Sequence, residues 1–325
     1  MNKIIQLLVI SMIFAGWCAS CLSKKETDTA FNVSFLDYPA QNMAEEIPEL
    51  PEEIAVEITR AERIMRSYAE AYPRQIDKVE FRNDDWAVLL RGTWFYFADG
   101  RMLPEDKLEN AENYSRGSFY YYPEELPPWQ APSPEQIARF RAWESSRREN
   151  PPRRANYFLD TLWRIHSREE AMQRIQTFRF LGNTIYLHYM VLENMSLVEQ
   201  YILAAGRADP QVQAWINNIR RIEHFSWRNI TNTQSRSYHS YGLAIDIIPR
   251  SYGGREAYWL WTSNSGVEWW TVPYNRRWHP PDAVIKAFEK FGFIWGGKWQ
   301  QYDTIHFEYR PEILIFNGMP PETRR

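Results

Sequence analysis

The segment SRSYHSYGLAID places His239 and Asp246 seven residues apart. The residues that follow Gly242 alternate as in a β-strand, so Asp246 is predicted to lie in the middle of an otherwise apolar strand. Burying an unpaired carboxylate is costly, and a metal ion would remove that cost. Gly242 would let the backbone turn and leave room for an approaching group. His239 would then fold back toward Asp246, and the segment predicts one half of a metal site.

The second half lies near the C-terminus, in WGGKWQQYDTIHFEYRP. His306 belongs to a β-prone run, and Asp303 precedes it on the incoming loop. Two histidines and one carboxylate satisfy zinc and leave the fourth position open for water, which a catalytic site requires. Asp303 is then free to accept a proton from that water. Glu308 shares the strand face of His306 and is predicted to orient its ring.

The two half-sites together form a specific pair of motifs. The positions are Ser237-x-His239-x-x-Gly242-x-Ala244-x-Asp246, followed by Asp303-x-x-His306. This pair resembles the zinc D-alanyl-D-alanine carboxypeptidase family of the vancomycin-resistance (VanY-like) type, which includes endopeptidases that cut between L-Ala and D-Glu. The resemblance covers roughly the last third of the chain.

The resemblance implies a role for each matched position. His239, Asp246 and His306 would be the ligands of a Zn²⁺ cofactor. Asp303 would be the general base that activates the water. The family also implies an α+β fold in which a small antiparallel sheet carries the zinc site and helices pack behind it.

The family further uses an arginine upstream of the first motif to hold the substrate or the developing oxyanion. Arg236 and Arg228, both in FSWRNITNTQSR, are the two candidates. The sequence does not choose between them.

The composition sets the broad class of the protein. The chain has 325 residues, of which 44% are hydrophobic and 24% are charged, as in a folded protein of one or two domains. Lys and Arg number 38 against 41 Asp and Glu, so no basic excess indicates a nucleic-acid partner. With 15 Trp and 19 Tyr, aromatic side chains are abundant, either as groove walls or as core.

Residues 1–21 are predicted to be an export signal. Lys3 precedes an apolar run from Ile4 to Phe14 that is too short for an anchor helix. Cys21 follows Ala19-Ser20 as in a bacterial lipoprotein processing site, and Cys18 is the alternative. We therefore expect an exported, periplasmic or cell-envelope protein that is lipid-anchored at Cys21. A plain secreted protein is the other possibility.

Sequence patterns divide the rest of the chain into four predicted segments. Residues 22–50 are predicted to be a linker, 51–130 a mixed N-terminal region, 131–190 a helical region, and 191–325 the zinc peptidase domain. The pattern predicts a helix over Glu52–Tyr72, strands on both sides of Arg91-Gly92, and mainly helices from Glu135 to Arg221. No oligomeric state is predicted.

Histidines outside the motifs, namely His166, His188, His224 and His279, are interpreted as packing or surface residues. The segment 257–278 between the half-sites contains five tryptophans, at 259, 261, 269, 270 and 278. These side chains either wall a substrate cleft or cover the sheet.

The leading hypothesis is a zinc peptidase that acts on peptidoglycan stem peptides, most simply as a D-alanyl-D-alanine carboxypeptidase. An L-Ala–D-Glu endopeptidase on the same site is the alternative, as is cleavage of the amide at the sugar–peptide junction. A non-catalytic cell-wall-binding module would also use the aromatic residues. The free carboxylate of Asp303 argues against that module, because structural zinc sites close the fourth position with a ligand.

Overall fold

The computed structural model describes residues 59–117 and 119–322. The helices are α1 (Arg60–Ala71), α2 (Pro134–Glu149), α3 (Tyr157–Trp163), α4 (Arg168–Arg174), α5 (Leu192–Ala208), α6 (Pro210–Asn217), α7 (Trp259–Asn264), α8 (Asp282–Lys290) and α9 (Pro311–Phe316). The strands are β1 (Ile76–Arg82), β2 (Asp85–Leu90), β3 (Thr93–Tyr96), β4 (Leu103–Pro104), β5 (Ile175–Phe180), β6 (Asn183–His188), β7 (Ile219–Glu223), β8 (Ala244–Pro249), β9 (Phe293–Trp295) and β10 (His306–Tyr309). Within these residues, none of the helices has both the length and the apolar character needed to span a bilayer.

The strands form three antiparallel units. The first sheet is a meander in the order β1-β2-β3-β4, and the second has the order β7-β8-β10-β9. Strands β5 and β6 pair as a separate hairpin. The predicted α+β class is confirmed, and the second sheet carries both half-sites of the sequence motif.

The N-terminal region follows its sequence pattern closely. Helix α1 is capped at its N-terminus by Thr59, whose side chain accepts a hydrogen bond from the Glu62 amide, and it buries Ile64, Met65 and Tyr68. Residues 52–58 of the predicted helix lie outside the described residues. The strands predicted around Arg91-Gly92 are confirmed as β2 and β3.

The larger of two hydrophobic cores in the described residues connects this region to the second sheet. It includes Tyr68 of α1, Phe158 of α3 and Phe307 of β10. Helix α1 packs on α9, where the Arg63 side chain donates a 2.6 Å hydrogen bond to the Phe316 carbonyl. The structure therefore joins the start of the described chain to its end.

The predicted helical run from Glu135 to Arg221 is interrupted by the β5–β6 hairpin. Leu181 and Gly182 form its turn with φ angles of 47° and 79°, and Asn183 closes it. This hairpin lies against the segment that enters β8, because the His188 amide donates a 2.9 Å hydrogen bond to the Gly242 carbonyl. The run also ends early, since β7 begins at Ile219.

Gly242 is required by both conformation and space. Its φ is 67°, and a Cβ built there would lie 2.2 Å from Ile175 Cδ1 and 2.7 Å from the His188 amide nitrogen. A side chain at this position would push the hairpin away from the turn that holds His239. The close approach expected from the sequence is therefore present.

We expect Gly242→Ala to destabilise the protein by about 2–4 kcal/mol, from the left-handed conformation and from overpacking together. Gly182→Ala is the matched control, because Gly182 also has positive φ but a Cβ there meets no atom within 4 Å. That control should cost about 1 kcal/mol. Urea unfolding measures both values, and equal losses would show that the steric contact contributes nothing.

Candidate metal centre

The pairing of β8 with β10 brings two of the motif residues together. Asp246 and His306 are direct partners in the antiparallel register, so their side chains leave the sheet on the same face. His306 Nδ1 lies 2.7 Å from Asp246 Oδ1. On its other side, His306 Nε2 lies 3.2 Å from Glu308 Oε2. The predicted orientation of His306 by Glu308 is confirmed.

His239 reaches the same point from a short 3-10 turn, Tyr238–Tyr241, which ends at Gly242. Its Nδ1 lies 2.8 Å from the His224 carbonyl oxygen, an acceptor that fixes Nδ1 as the donor. Its Nε2 faces Asp246 Oδ2 at 3.3 Å. The rings of His239 and His306 lie 5.3 Å apart between centroids.

The donor atoms of His239, Asp246 and His306 all lie within 4.8 Å of one another. The three side chains are buried, and His239 Nε2 makes no hydrogen bond within the described residues. An imidazole nitrogen held bare and aimed at a carboxylate is suited to a cation. Two imidazoles and one carboxylate are also the donor set of catalytic zinc, so the residues fit this metal.

The electrostatics of the cluster favour positive charge. Burial disfavours the protonated form of His306, but hydrogen bonds and negative charge from Asp246 and Glu308 outweigh burial and raise its pKa to about 10. Burial would raise the pKa of Asp246, yet its interactions with His239 and His306 hold that pKa well below its usual range. A group of residues that draws a proton this strongly would also stabilise a metal cation.

Asp303 lies beside the cluster on the loop before β10, as predicted. Its amide donates to the Gly296 carbonyl at 2.9 Å, and its backbone bridges to Tyr258. Its Oδ1 is buried and makes no hydrogen bond among the residues that the structure describes. Burial and the charge of Asp246 raise the pKa of Asp303 to about 7, which suits a group that exchanges protons near neutral pH.

The two candidate arginines occupy different surroundings. The Arg236 guanidinium is hydrogen-bonded within the protein, with Nη1 2.5 Å from Asp160 Oδ1 and 3.3 Å from the Tyr241 hydroxyl. Arg228 is exposed, and its guanidinium donates a long 3.5 Å hydrogen bond to the Asn229 carbonyl. Its charge acts on Asp303, where it opposes the larger effect of burial on the pKa. Arg228 is therefore the more available of the two.

Sequence reasoning missed two contributors to this neighbourhood. The His224 carbonyl is a backbone acceptor, which no side-chain pattern reveals. Arg154 lies in the loop after α2, and burial and the charge of Arg310 lower its pKa, while Tyr238 and Glu308 act in the opposite direction. Arg154 lies 85 residues before His239, and no sequence pattern links the two positions.

The remaining histidines lie outside the cluster. His188 is buried against Trp163, with Nε2 3.2 Å from the Trp163 carbonyl oxygen. His166 is exposed and pairs with Glu170 at 2.9 Å. His279 is exposed and bonds to its neighbouring carbonyl. These three agree with the interpretation as packing or surface residues.

The tryptophan-rich segment serves mainly as packing. Trp269 and Trp270 belong to a small second core with Phe140 of α2. Trp269 Nε1 donates a 2.9 Å hydrogen bond to Glu144, which ties α2 to this core. Trp261 differs, with 49% of its surface exposed.

Two family models match the chain. One is described as D-alanyl-D-alanine carboxypeptidase and matches residues 231–309. The other is a domain of unknown function and matches residues 64–119. Neither a curated protein nor a solved structure gives a significant match. The first match covers all three residues of the metal-type cluster and indicates a peptidase of the zinc-dependent kind that acts on peptidoglycan.

Proposed function

We propose that the protein is a zinc-dependent D-alanyl-D-alanine carboxypeptidase that acts on peptidoglycan stem peptides. One observation carries this proposal: the donor atoms of His239, Asp246 and His306 converge within 4.8 Å, inside the segment that matches the carboxypeptidase family. Asp303 adds a carboxylate that the metal does not need. A purely structural zinc site would have no use for it.

The residues of the chain would divide the work as follows. His239, Asp246 and His306 would hold zinc, which when bound acts as a Lewis acid and lowers the pKa of water toward about 7. Asp303 would accept the proton of the attacking water and return it to the leaving amine. The His224 carbonyl and Glu308 fix the orientation of the two imidazoles.

Arg228 would receive the carboxylate of the peptide. It is exposed, positively charged and close enough to Asp303 to influence its ionisation. The carboxyl end of a stem peptide is an anion, so a guanidinium at the edge of the site would place the terminal residue next to the metal. Arg236 is less suited, because Asp160 already neutralises it.

The test is to digest purified peptidoglycan and a synthetic stem pentapeptide and to measure the product masses. Release of a single D-alanine, abolished by a chelator and restored by zinc, would support the proposal. A cut between L-Ala and D-Glu would identify the alternative endopeptidase on the same residues. Binding of peptidoglycan without hydrolysis by the zinc-loaded protein would instead indicate a binding module.

We also propose that the protein is exported and anchored by lipid at Cys21, which lies outside the described residues. The motivation is the apolar run followed by Ala19-Ser20 and this cysteine. Cys21→Ser is expected to move the protein from the membrane fraction to the soluble fraction, because multiple acyl chains supply the anchorage. Cys18→Ser is the control. If only Cys18→Ser released the protein, Cys18 and not Cys21 would be the acylated residue. If neither substitution changed the fractionation, the lipid anchor would be refuted.

A further inference from the structure

A chain of buried polar contacts leads away from the candidate metal centre. His306 Nε2 contacts Glu308 at 3.2 Å, and the other oxygen of Glu308 lies 3.2 Å from Arg310 Nη1. Arg310 Nε donates to Glu312 Oε1. The other oxygen of Glu312 accepts a 2.8 Å hydrogen bond from the Tyr72 hydroxyl. Each of the five side chains is less than 9% exposed.

The geometry of β10 explains how this chain arises. His306, Glu308 and Arg310 follow one another at every second position, so they share one face of the extended segment. Glu312 comes next, in the first turn of α9. Tyr72 directly follows α1, which packs on α9, so the last contact joins the N-terminal region to the metal-bearing sheet.

The chain also joins two segments that match different families. Tyr72 lies within residues 64–119, which match a domain of unknown function, and His306 lies within the carboxypeptidase match at 231–309. The contacts therefore cross from one matched segment to the other, through Arg310 and Glu312, which belong to neither.

Hydrophobic packing alone would not require these groups. Two carboxylates and a guanidinium are costly to bury, and well-packed apolar side chains often stabilise a fold at least as well. A fully connected buried network instead holds each member in one orientation. Here the member at the end of the network is a residue of the metal-type cluster.

We propose that Tyr72 is a positioning residue for the metal centre, which it influences through Glu312, Arg310 and Glu308. The hydroxyl fixes the Glu312 carboxylate, Glu312 fixes the guanidinium, and the guanidinium fixes the carboxylate that holds His306. The N-terminal region is thereby part of the functional unit. This inference rests on the proposed zinc site but not on the identity of the peptide bond that is cut.

The test is Tyr72→Phe in the full chain, which removes one hydroxyl and keeps the ring that packs on Trp163. We expect zinc affinity, measured by competition with a chelator, to fall on the order of 3–10-fold. This is less than the roughly 10–100-fold loss for direct partners of metal ligands, because Tyr72 acts through three intervening side chains. The visible spectrum of the cobalt-substituted protein should shift, because it reports ligand geometry. Hydrolysis is not needed for either measurement.

Tyr96→Phe is the matched control. Tyr96 is fully buried in β3 of the N-terminal region, and its hydroxyl accepts a 2.8 Å hydrogen bond from the Asn83 side chain. The substitution removes one buried hydroxyl and one hydrogen bond, as Tyr72→Phe does, and should leave zinc affinity and the cobalt spectrum unchanged. A folded Tyr72→Phe variant with wild-type zinc affinity and cobalt spectrum would overturn the inference, as would an equal loss in Tyr96→Phe.

A double-mutant cycle with Glu312→Gln separates positioning from general damage. If Tyr72 acts through Glu312, the two substitutions together should lower zinc affinity by less than the product of their separate effects. Strictly multiplicative losses would contradict the relay. If the wild-type protein bound no zinc at all, the proposed function would fail instead, so the two failures are distinguishable.

Discussion

Alanine in place of His239 is expected to reduce zinc content from about one ion per chain to near zero. The imidazole is one of the three donors that converge in the cluster, so its removal leaves one imidazole and one carboxylate to hold the ion. Hydrolysis should fall on the order of 10³-fold or more, since water without the metal keeps its high pKa. Metal analysis and a peptide-release assay on the same samples measure both effects.

His166→Ala is the control for this substitution. The His166 ring is exposed, pairs with Glu170 and lies outside the cluster. Zinc content and activity should stay at the wild-type level. Full activity of the wild-type protein after exhaustive chelation would refute metal dependence, and retention of zinc by His239→Ala would remove this residue from the ligand set.

Each half of the metal-type cluster was predictable because the geometry within that half is local. Strand alternation places Asp246 and His306 on inward faces, and Gly242 provides the turn that returns His239 toward them. The position of Glu308 on the same strand face as His306 was predicted from the same two-residue period. What the sequence could not supply was the register between β8 and β10, which pairs Asp246 directly with His306.

Contacts between distant segments were not predictable. Tyr72 and Glu312 lie 240 residues apart, and the sequence around neither residue indicates that they are in contact. The Asp160 partner that occupies Arg236 is a similar case, separated by 76 residues. Only the packing of α1 on α9, and of α3 beside the motif, creates these pairs.

The β5–β6 hairpin shows a different limit. Ile175–His188 lies between helices, and its strands carry polar residues on one face, so a helical continuation was the simpler expectation. The signal was Leu181-Gly182, a two-residue turn between alternating runs. The consequence matters for the site, because Ile175 and His188 press against Gly242.

Asp303→Asn is expected to keep zinc and folding but to lose on the order of 10²–10⁴ in turnover, the usual scale for removal of a general base. Asparagine has nearly the same shape, and the backbone contacts of Asp303 to Gly296 and Tyr258 remain. An amide cannot accept the proton of water. Because the donor atoms of the cluster come from His239, Asp246 and His306, the substitution should leave metal binding intact.

Asp246→Asn is the matched comparison, since it makes the same chemical change at the neighbouring carboxylate. Asp246 contacts both imidazoles, so loss of its charge should lower zinc affinity itself. In Asp303→Asn, turnover should therefore fall while zinc content stays at the wild-type level. In Asp246→Asn, zinc content and turnover should fall together. If Asp303→Asn lost zinc in proportion to activity, Asp303 would be a ligand and the roles of the two carboxylates would be reversed. If it kept both zinc and full turnover, the base would lie elsewhere, and Glu308, which contacts His306 at 3.2 Å, would be the next residue to replace.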